Sequence, residues 1–357
     1  MSVYRYAIIG TGRPWKSDGA TGFGMSHTHQ HGFAKTGRTE LVAVADVRED
    51  NARLFLDKYN VDAPIFTNYE EMLAEIKPEI LSIATWPHLH ADMTVAACEA
   101  GVKAIHCEKP MATTWGDAKR MKAAADANGT IVTFNHQRRN LEAFQKARQI
   151  ILSGELGDLT LMECECGNLF DWGTHWLDML FFFNGDVPAE WVIGQIDLRE
   201  PDVIFGAPME QQGLVYWKWT NGVRGIMVTG HDSKLTTMMR LTGTKGIIEL
   251  PSENALKVRT EQDSDWRVIP MIENIKGSDP IDLACADLIK ALDTPGYKPL
   301  LSIDYAIQHT EVIYAAYESS RWRGRIDLPL KTEDSALVSM LESGEIGPKR
   351  RAQPSVQ

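Results

Sequence analysis

Residues 4–12 read Tyr4-Arg5-Tyr6-Ala7-Ile8-Ile9-Gly10-Thr11-Gly12, an apolar run that ends in two glycines one residue apart. A buried strand with that ending lets the backbone turn sharply and approach a pyrophosphate at the amino end of the next helix. Regular spacing puts a third glycine at position 15, where Trp15 stands. Gly24 is the next candidate, so Arg13 to Phe23 reads as an expanded phosphate loop and Gly24 as the start of a helix through Ser26, His27 and His31. The second apolar run, Leu41 to Ala45, ends in Asp46, the place of the acid that binds adenosine ribose hydroxyls in a dinucleotide fold. A carboxylate there repels a 2′-phosphate and favours NAD, while Arg48 keeps NADP open as the alternative. The plainer reading of Asp46 is a cap on the following helix.

Working outward, short apolar runs alternate with helical periods as far as residue 135. The runs are Tyr6 to Ile9, Leu41 to Ala45, Ile80 to Ala84, Val102 to Cys107 and Ile131 to Phe134. Helical spacing covers Asp50 to Tyr59, Tyr69 to Ile76, His90 to Ala100 and Thr114 to Ala127. This alternation predicts five parallel strands in a doubly wound α/β domain over residues 1–135. After residue 150 strands follow one another directly. Leu214 to Trp219 and Val223 to Thr229 flank Thr220-Asn221-Gly222, a strong hairpin signal. Met239 to Thr242 with Ile247 to Leu250, and Leu256 to Arg259 with Trp266 to Ile269, extend the pattern. Residues 136–335 are therefore expected to form an α+β domain on a large, mostly antiparallel open sheet, with helices at Asp279 to Asp293 and Asp304 to Arg321. A C-terminal helix and tail follow over 336–357, and the tail from Gly347 onward, with Lys349, Arg350, Arg351 and Pro354, has little to bury. Val215, Trp217, Trp219, Ile226 and Val228 alternate in a way that suits either a helix layer or an interface, so a homodimer or homotetramer is expected.

The 357 residues are 44% hydrophobic and 24% charged, which fits a globular chain of about two domains and excludes disordered and fibrous classes. Lys and Arg number 37 against 48 Asp and Glu, a net charge of −11 that opposes binding to nucleic acid or anionic lipid. The five cysteines, at 98, 107, 164, 166 and 285, include no CxxC pair, so neither a disulfide framework nor a zinc site is expected. His27, His29 and His31 are dispersed by helical spacing and give no metal set; His27 is placed near the pyrophosphate and the other two at the domain junction. With no signal peptide or membrane-spanning run at this amino terminus, the expectation is a cytoplasmic protein.

Two loops at strand ends, Thr85-Trp86-Pro87-His88-Leu89-His90 and Glu108-Lys109-Pro110, lie where open α/β sheets bind ligands. Thr85, His90 and Glu108 are assigned to the cofactor, and Lys109 to the nicotinamide end of the cleft. Further on stands Gly167-Asn168-Leu169-Phe170-Asp171-Trp172-Gly173-Thr174-His175-Trp176-Leu177-Asp178. On a helix Asp171 and His175, four apart, share a face, and a carboxylate beside an imidazole suits a base that deprotonates a hydroxyl. The alternative is an amino-cap aspartate followed by a core histidine. Trp86, Trp172, Asn135, His136 and Arg139 are the candidate substrate contacts.

These pieces, in this order, resemble the glucose-fructose oxidoreductase and inositol dehydrogenase family, Gfo/Idh/MocA. The resemblance rests on Gly10-Thr11-Gly12, Gly24-x-x-His27, the Thr85 to His90 loop, Glu108-Lys109-Pro110 and Asp171-x-x-x-His175-x-x-Asp178, and it covers residues 4 to 330. It implies an NAD(P)-dependent oxidoreductase with an amino-terminal Rossmann domain, acting on a secondary hydroxyl of a sugar, cyclitol or sugar derivative. By position, Lys109 contacts the reacting hydroxyl, His175 is the general acid/base, and Asp171 orients it or binds a substrate hydroxyl. The chain departs from the family in the Arg13 to Phe23 insertion, in Trp86 and in Asn168. A single crevice is then expected to bring Lys109 and His175 to one nicotinamide ring. Two rival readings use the same fold: a glycoside-cleaving enzyme working through transient oxidation, and a nonenzymatic sugar-sensing regulator, against which the Lys109, Asp171 and His175 set argues.

Overall fold

The computed structural model describes residues 3–198, 200, 202–230, 234–271 and 279–348. Two compact units divide the chain, one made of Met1–Ala112, Asp117–Asn140 and Asn274–Ile307, the other of Thr113–Gly116, Leu141–Glu273 and Gln308–Gln357.

The first unit is built on strands β1 (Tyr4–Ile9), β2 (Thr39–Ala45), β3 (Ile65–Phe66), β4 (Ile80–Ile83), β5 (Ala104–Cys107) and β6 (Ile131–Phe134). They form one sheet in the order β3-β2-β1-β4-β5-β6, with every pair parallel. This is the doubly wound order, whose reversal between β1 and β4 opens a crevice at the strands' carboxyl ends. Five strands were expected and six are present, because two-residue β3 is too short to leave a pattern. The helices are α1 (Met25–Lys35), α2 (Glu49–Tyr59), α3 (Tyr69–Ile76), α4 (His90–Glu99) and α5 (Trp115–Asn128). A further helix that packs here, α8 (Pro280–Asp293), follows α6 (Glu142–Leu152) and α7 (Gly173–Phe183) in the chain. Ile281, Cys285, Leu288 and Ile289 of α8 join Tyr6, Ile8, Phe33 and Phe55 in one buried cluster. Gly32 of α1 makes room for the Cys285 sulfur, and Lys35 Nζ pairs with Asp282 Oδ2 at 2.7 Å.

The second unit carries a nine-stranded sheet in the order β16-β15-β14-β13-β7-β12-β11-β8-β17. Its strands are β7 (Leu159–Cys166), β8 (Ala189–Asp197), β11 (Gln212–Trp219), β12 (Arg224–Thr229), β13 (Met239–Gly243), β14 (Gly246–Ser252), β15 (Ala255–Thr260), β16 (Arg267–Ile269) and β17 (Ile326–Asp327). The pairs are antiparallel except β12 with β7. A separate hairpin joins β9 (Asp202–Ile204) to β10 (Ala207–Met209), and α9 (Ile303–Trp322) and α10 (Ala336–Ser343) complete the elements. The β11–β12 hairpin forms as Asn221-Gly222 predicts, with Gly222 at φ 92°. The alternating apolar set splits between the two faces. Val215, Trp217 and Trp219 are fully buried, Trp219 meeting the α7 ring of Phe181 at 5.4 Å. Ile226 and Val228 pair with Tyr216 and Leu214 on the opposite face and are only half-buried. The expected tail residues Lys349, Arg350, Arg351 and Pro354 lie outside the described residues.

Candidate active site

The glycine turn is shaped by contacts that only glycine permits. Gly10 has φ +83°, and a Cβ there would lie 2.7 Å from Thr85 Cγ2 and 2.8 Å from the Ala84 carbonyl oxygen. Gly24, at φ +64°, precedes α1 in the left-handed region, and a Cβ there would strike the Arg13 carbonyl oxygen. The 13–23 insertion thus leaves Gly24 in the position that opens the helix. Beside Gly12, at φ +53°, a Cβ would meet nothing within 4 Å, so the space at its Cα is open.

Asp46 follows β2 and faces this turn. Its Oδ2 accepts hydrogen bonds from Thr11 Oγ1 at 2.8 Å and from the Gly12 N–H at 3.0 Å, and its Oδ1 accepts the Arg48 N–H at 2.9 Å. Three donors orient the carboxylate, and by lone-pair count one acceptor position remains for a ribose hydroxyl. The Ser26 hydroxyl donates to the Thr11 carbonyl, locking α1 to the turn. A glycine turn open at Gly12, a helix amino end and an oriented carboxylate at the sheet's switch point together fit a dinucleotide.

On the other side of Gly10 and Thr85, the loops after β4 and β5 are braced from below. Lys109 is held at both neighbours. Its own N–H donates to Glu108 Oε2 at 3.2 Å, and the Pro110 carbonyl faces His90 Nδ1 at 2.9 Å. His90 Nε2 lies 3.1 Å from the Thr85 carbonyl, so one fully buried ring spans both loops, and burial holds its pKa below the ordinary imidazole value. Glu108 Oε1 is met by His29 Nε2 at 2.9 Å and by Asn135 Nδ2 at 2.7 Å. Burial alone pushes the Glu108 carboxyl up, but His29, Asn135 and the nearby Lys109 charge outweigh it and leave it at about 2. His29 is in turn fixed by Ser82 Oγ, 2.6 Å from its Nδ1, and stands 4.6 Å, ring to ring, from His106. Burial and that neighbouring ring hold His106 at about 3.

His29 is therefore a buried anchor of the Glu108 loop rather than a residue of the domain junction. The sequence hint was three histidines on alternate positions, but its partners Ser82 and Glu108 lie 53 and 79 residues away. His27 sits against Phe55 and Tyr59 of α2, and burial lowers it to about 4. His136 is buried and held well below its ordinary value by burial and by the charges of Arg139 and Lys109. Arg139 is also buried, its guanidinium 4.8 Å from the Tyr305 ring centre. Trp86 is 42% exposed.

In the second unit the Asp171 and His175 segment takes a more specific form than one continuous helix. Helix α7 starts at Gly173, and Asp171 belongs to the turn before it. The cause is Asn168, whose Oδ1 accepts the N–H groups of Asp171 at 2.8 Å and Trp172 at 3.0 Å, while its carbonyl accepts the Gly173 N–H at 2.8 Å. Asn168 thus caps α7 where the family resemblance leads one to expect glycine. Asp171 and His175 are buried, and Trp172 is 43% exposed. Below this turn, Glu210 accepts the Leu169 N–H and, on Oε2, the Tyr317 hydroxyl at 2.8 Å. Glu210 follows the short β9–β10 hairpin, which gave no sequence signal.

The model of the oxidoreductase family described as having an NAD-binding Rossmann fold matches residues 4–136, and that of the same family's C-terminal alpha/beta domain matches residues 162–328. The inositol 2-dehydrogenase of Salmonella paratyphi B is 26% identical over 282 residues, covering 70% of this chain and 80% of its own length. The D-glucoside 3-dehydrogenase of Escherichia coli is 28% identical over 204 residues, covering 52% of this chain and 55% of its own length. A levoglucosan dehydrogenase solved with NADH and levoglucosan shares the fold at 18% identity and a TM-score of 0.77, covering 92% of this chain and 100% of that one.

Proposed function

The chain belongs to the Gfo/Idh/MocA oxidoreductase family, and on that premise we propose that it uses NAD to oxidise a secondary hydroxyl of a sugar, cyclitol or sugar derivative. The observation that carries this reading is Lys109, fixed at the end of β5 between a doubly anchored Glu108 and a His90-braced Pro110. The relatives named inositol 2-dehydrogenase and D-glucoside 3-dehydrogenase support the substrate class.

Gly10, Thr11, Gly12, Gly24 and Asp46 are assigned to holding the dinucleotide. The chemistry that bound NAD supplies is acceptance of a hydride from the carbinol carbon. The Lys109 ammonium stabilises the negative charge that grows on the substrate oxygen, a contribution on the order of a few kcal/mol. His175 takes the hydroxyl proton at its imidazole, and Asp171 orients that ring or holds a second hydroxyl. Trp86 and Trp172, both partly exposed large aromatic side chains, suit the C–H faces of a ring substrate. Asn135, His136 and Arg139 are assigned to the same end of the Rossmann unit. Among the described residues no helix is long and apolar enough to cross a membrane, and all five cysteines are free thiols, which suits a reducing cytoplasm.

The test is a panel of sugars and cyclitols with NAD and NADP, read as NADH or NADPH absorbance. On the substrate found, Lys109→Ala should lower kcat by about 10²-fold or more while NADH affinity stays within about twofold. Near-normal turnover in that variant removes Lys109 from the mechanism, and glycoside cleavage without net NADH replaces the dehydrogenase reading by elimination.

A further inference from the structure

Asp46 does not stand alone at the end of β2. Two guanidiniums flank that acid, Arg13 immediately after the glycine turn and Arg48 two residues beyond Asp46. Both converge on one carboxylate at the start of α2. Arg13 Nη2 is 2.7 Å and Arg48 Nη2 2.9 Å from Asp50 Oδ2, and Arg48 Nε is 3.3 Å from Asp50 Oδ1. Arg13 is also held by Asn51 Oδ1 at 3.0 Å and by the Asp18 carbonyl at 3.0 Å. Arg48 and Arg13 in turn keep the Asp50 carboxyl below its ordinary range.

We infer that Asp50 is a specificity residue that keeps this site selective for NAD, by engaging the two arginines that would otherwise receive a 2′-phosphate. This rests on the NAD reading of the glycine turn and Asp46. Arginine binds phosphate through two parallel N–H donors, so a free Arg13 or Arg48 beside the ribose acid is a ready phosphate receptor. With Asp50 in place, two positive and two negative side chains cancel. A dianionic 2′-phosphate then gains no net attraction and meets Asp46 and Asp50 as like charges. Without Asp50 the cluster carries one net positive charge, Arg48 loses its carboxylate partner, and Arg13, still held by Asn51 and the Asp18 carbonyl, has its Nη2 released. Asp50 is half exposed, so its loss costs the fold little.

The experiment is equilibrium titration of the purified full chain with NADH and with NADPH, followed by nucleotide fluorescence, with no substrate needed. The wild type is expected to bind NADH at least tenfold more tightly than NADPH. Asp50→Asn should tighten NADPH by about tenfold or more and leave NADH within about twofold, with the gain shrinking as salt rises. Adding Arg13→Ala and Arg48→Ala to Asp50→Asn should abolish the gain. An unchanged NADPH-to-NADH ratio in Asp50→Asn, with normal NADH binding, overturns the role of Asp50 alone. A wild type that binds both nucleotides equally also overturns it, and one that binds neither overturns the NAD reading on which it stands.

Discussion

Glu108 keeps its charge in a place where burial by itself would remove it, and that balance is measurable. His29 and Asn135 each give its carboxylate a hydrogen bond, and the Lys109 charge adds to them, leaving the group at about 2. That is below the unfolded value near 4.3, so the group stabilises the fold above the unfolded value and loses this contribution as pH falls toward 2. Glu108→Gln should therefore be less stable than the wild type by about 2 kcal/mol at pH 7, the scale of a hydrogen bond to a charged group. The gap should shrink between about pH 4.5 and pH 3 in urea titrations. A gap that stays constant over that range means the carboxylate's charge contributes nothing. The same residue accepts the Lys109 N–H, so the variant should also lose turnover.

At the scale of the element, α7 begins without a side chain of its own at the cap position: Trp172 makes no side-chain cap bond, and the first turn holds no acid. Four N–H groups open every helix, and here Asn168 satisfies the pair of Asp171 and Trp172 just ahead of the first turn. Asn168→Ala should cost about 1 kcal/mol in urea unfolding, whereas Asn168→Asp, which keeps the acceptor, should cost much less. If the alanine variant matches the wild type, the cap is idle. The turn is also tied by Glu210, whose burial pushes it up to about 7 despite its bonds from Leu169 and Tyr317. A carboxyl raised in the folded state gives its full contribution below the unfolded value, and that contribution is lost as pH rises through about 7. Glu210→Gln should thus be close to the wild type at about pH 4 and more stable than it by up to about 3 kcal/mol at pH 8.5. No change in the difference between those pH values would show that Glu210 is not neutral in the fold at low pH.

At the scale of the whole chain, what the sequence exposed were features enforced by local backbone chemistry. Gly10 and Gly24 need a missing Cβ, Asp46 ends its strand, and Asn221-Gly222 forces its hairpin. What it concealed were partners chosen by the tertiary fold: His29 for Glu108, Asp282 of α8 for Lys35 of α1, and Glu210 for Leu169. The strand alternation of β11 and β12 was legible, but not that its two registers belong to opposite faces. That division bears on assembly. The outer face presents Leu214 at 53% and Ile193 at 41% exposure beside half-buried Tyr216, Ile226 and Val228. Contiguous apolar surface of this kind marks an interaction site, whereas a net charge of −11 keeps copies apart unless apolar area offsets it. A stable dimer buries about 800 Å² per partner, an area that a multi-stranded sheet face can supply. Light scattering is therefore expected to give a mass of two or four times 39.9 kDa. Replacing Leu214 and Ile193 together by arginine should reduce that mass to a smaller assembly with the circular dichroism spectrum unchanged, since neither side chain belongs to the buried face. A wild-type mass of one chain, or a double variant whose mass does not fall, takes this face out of any interface.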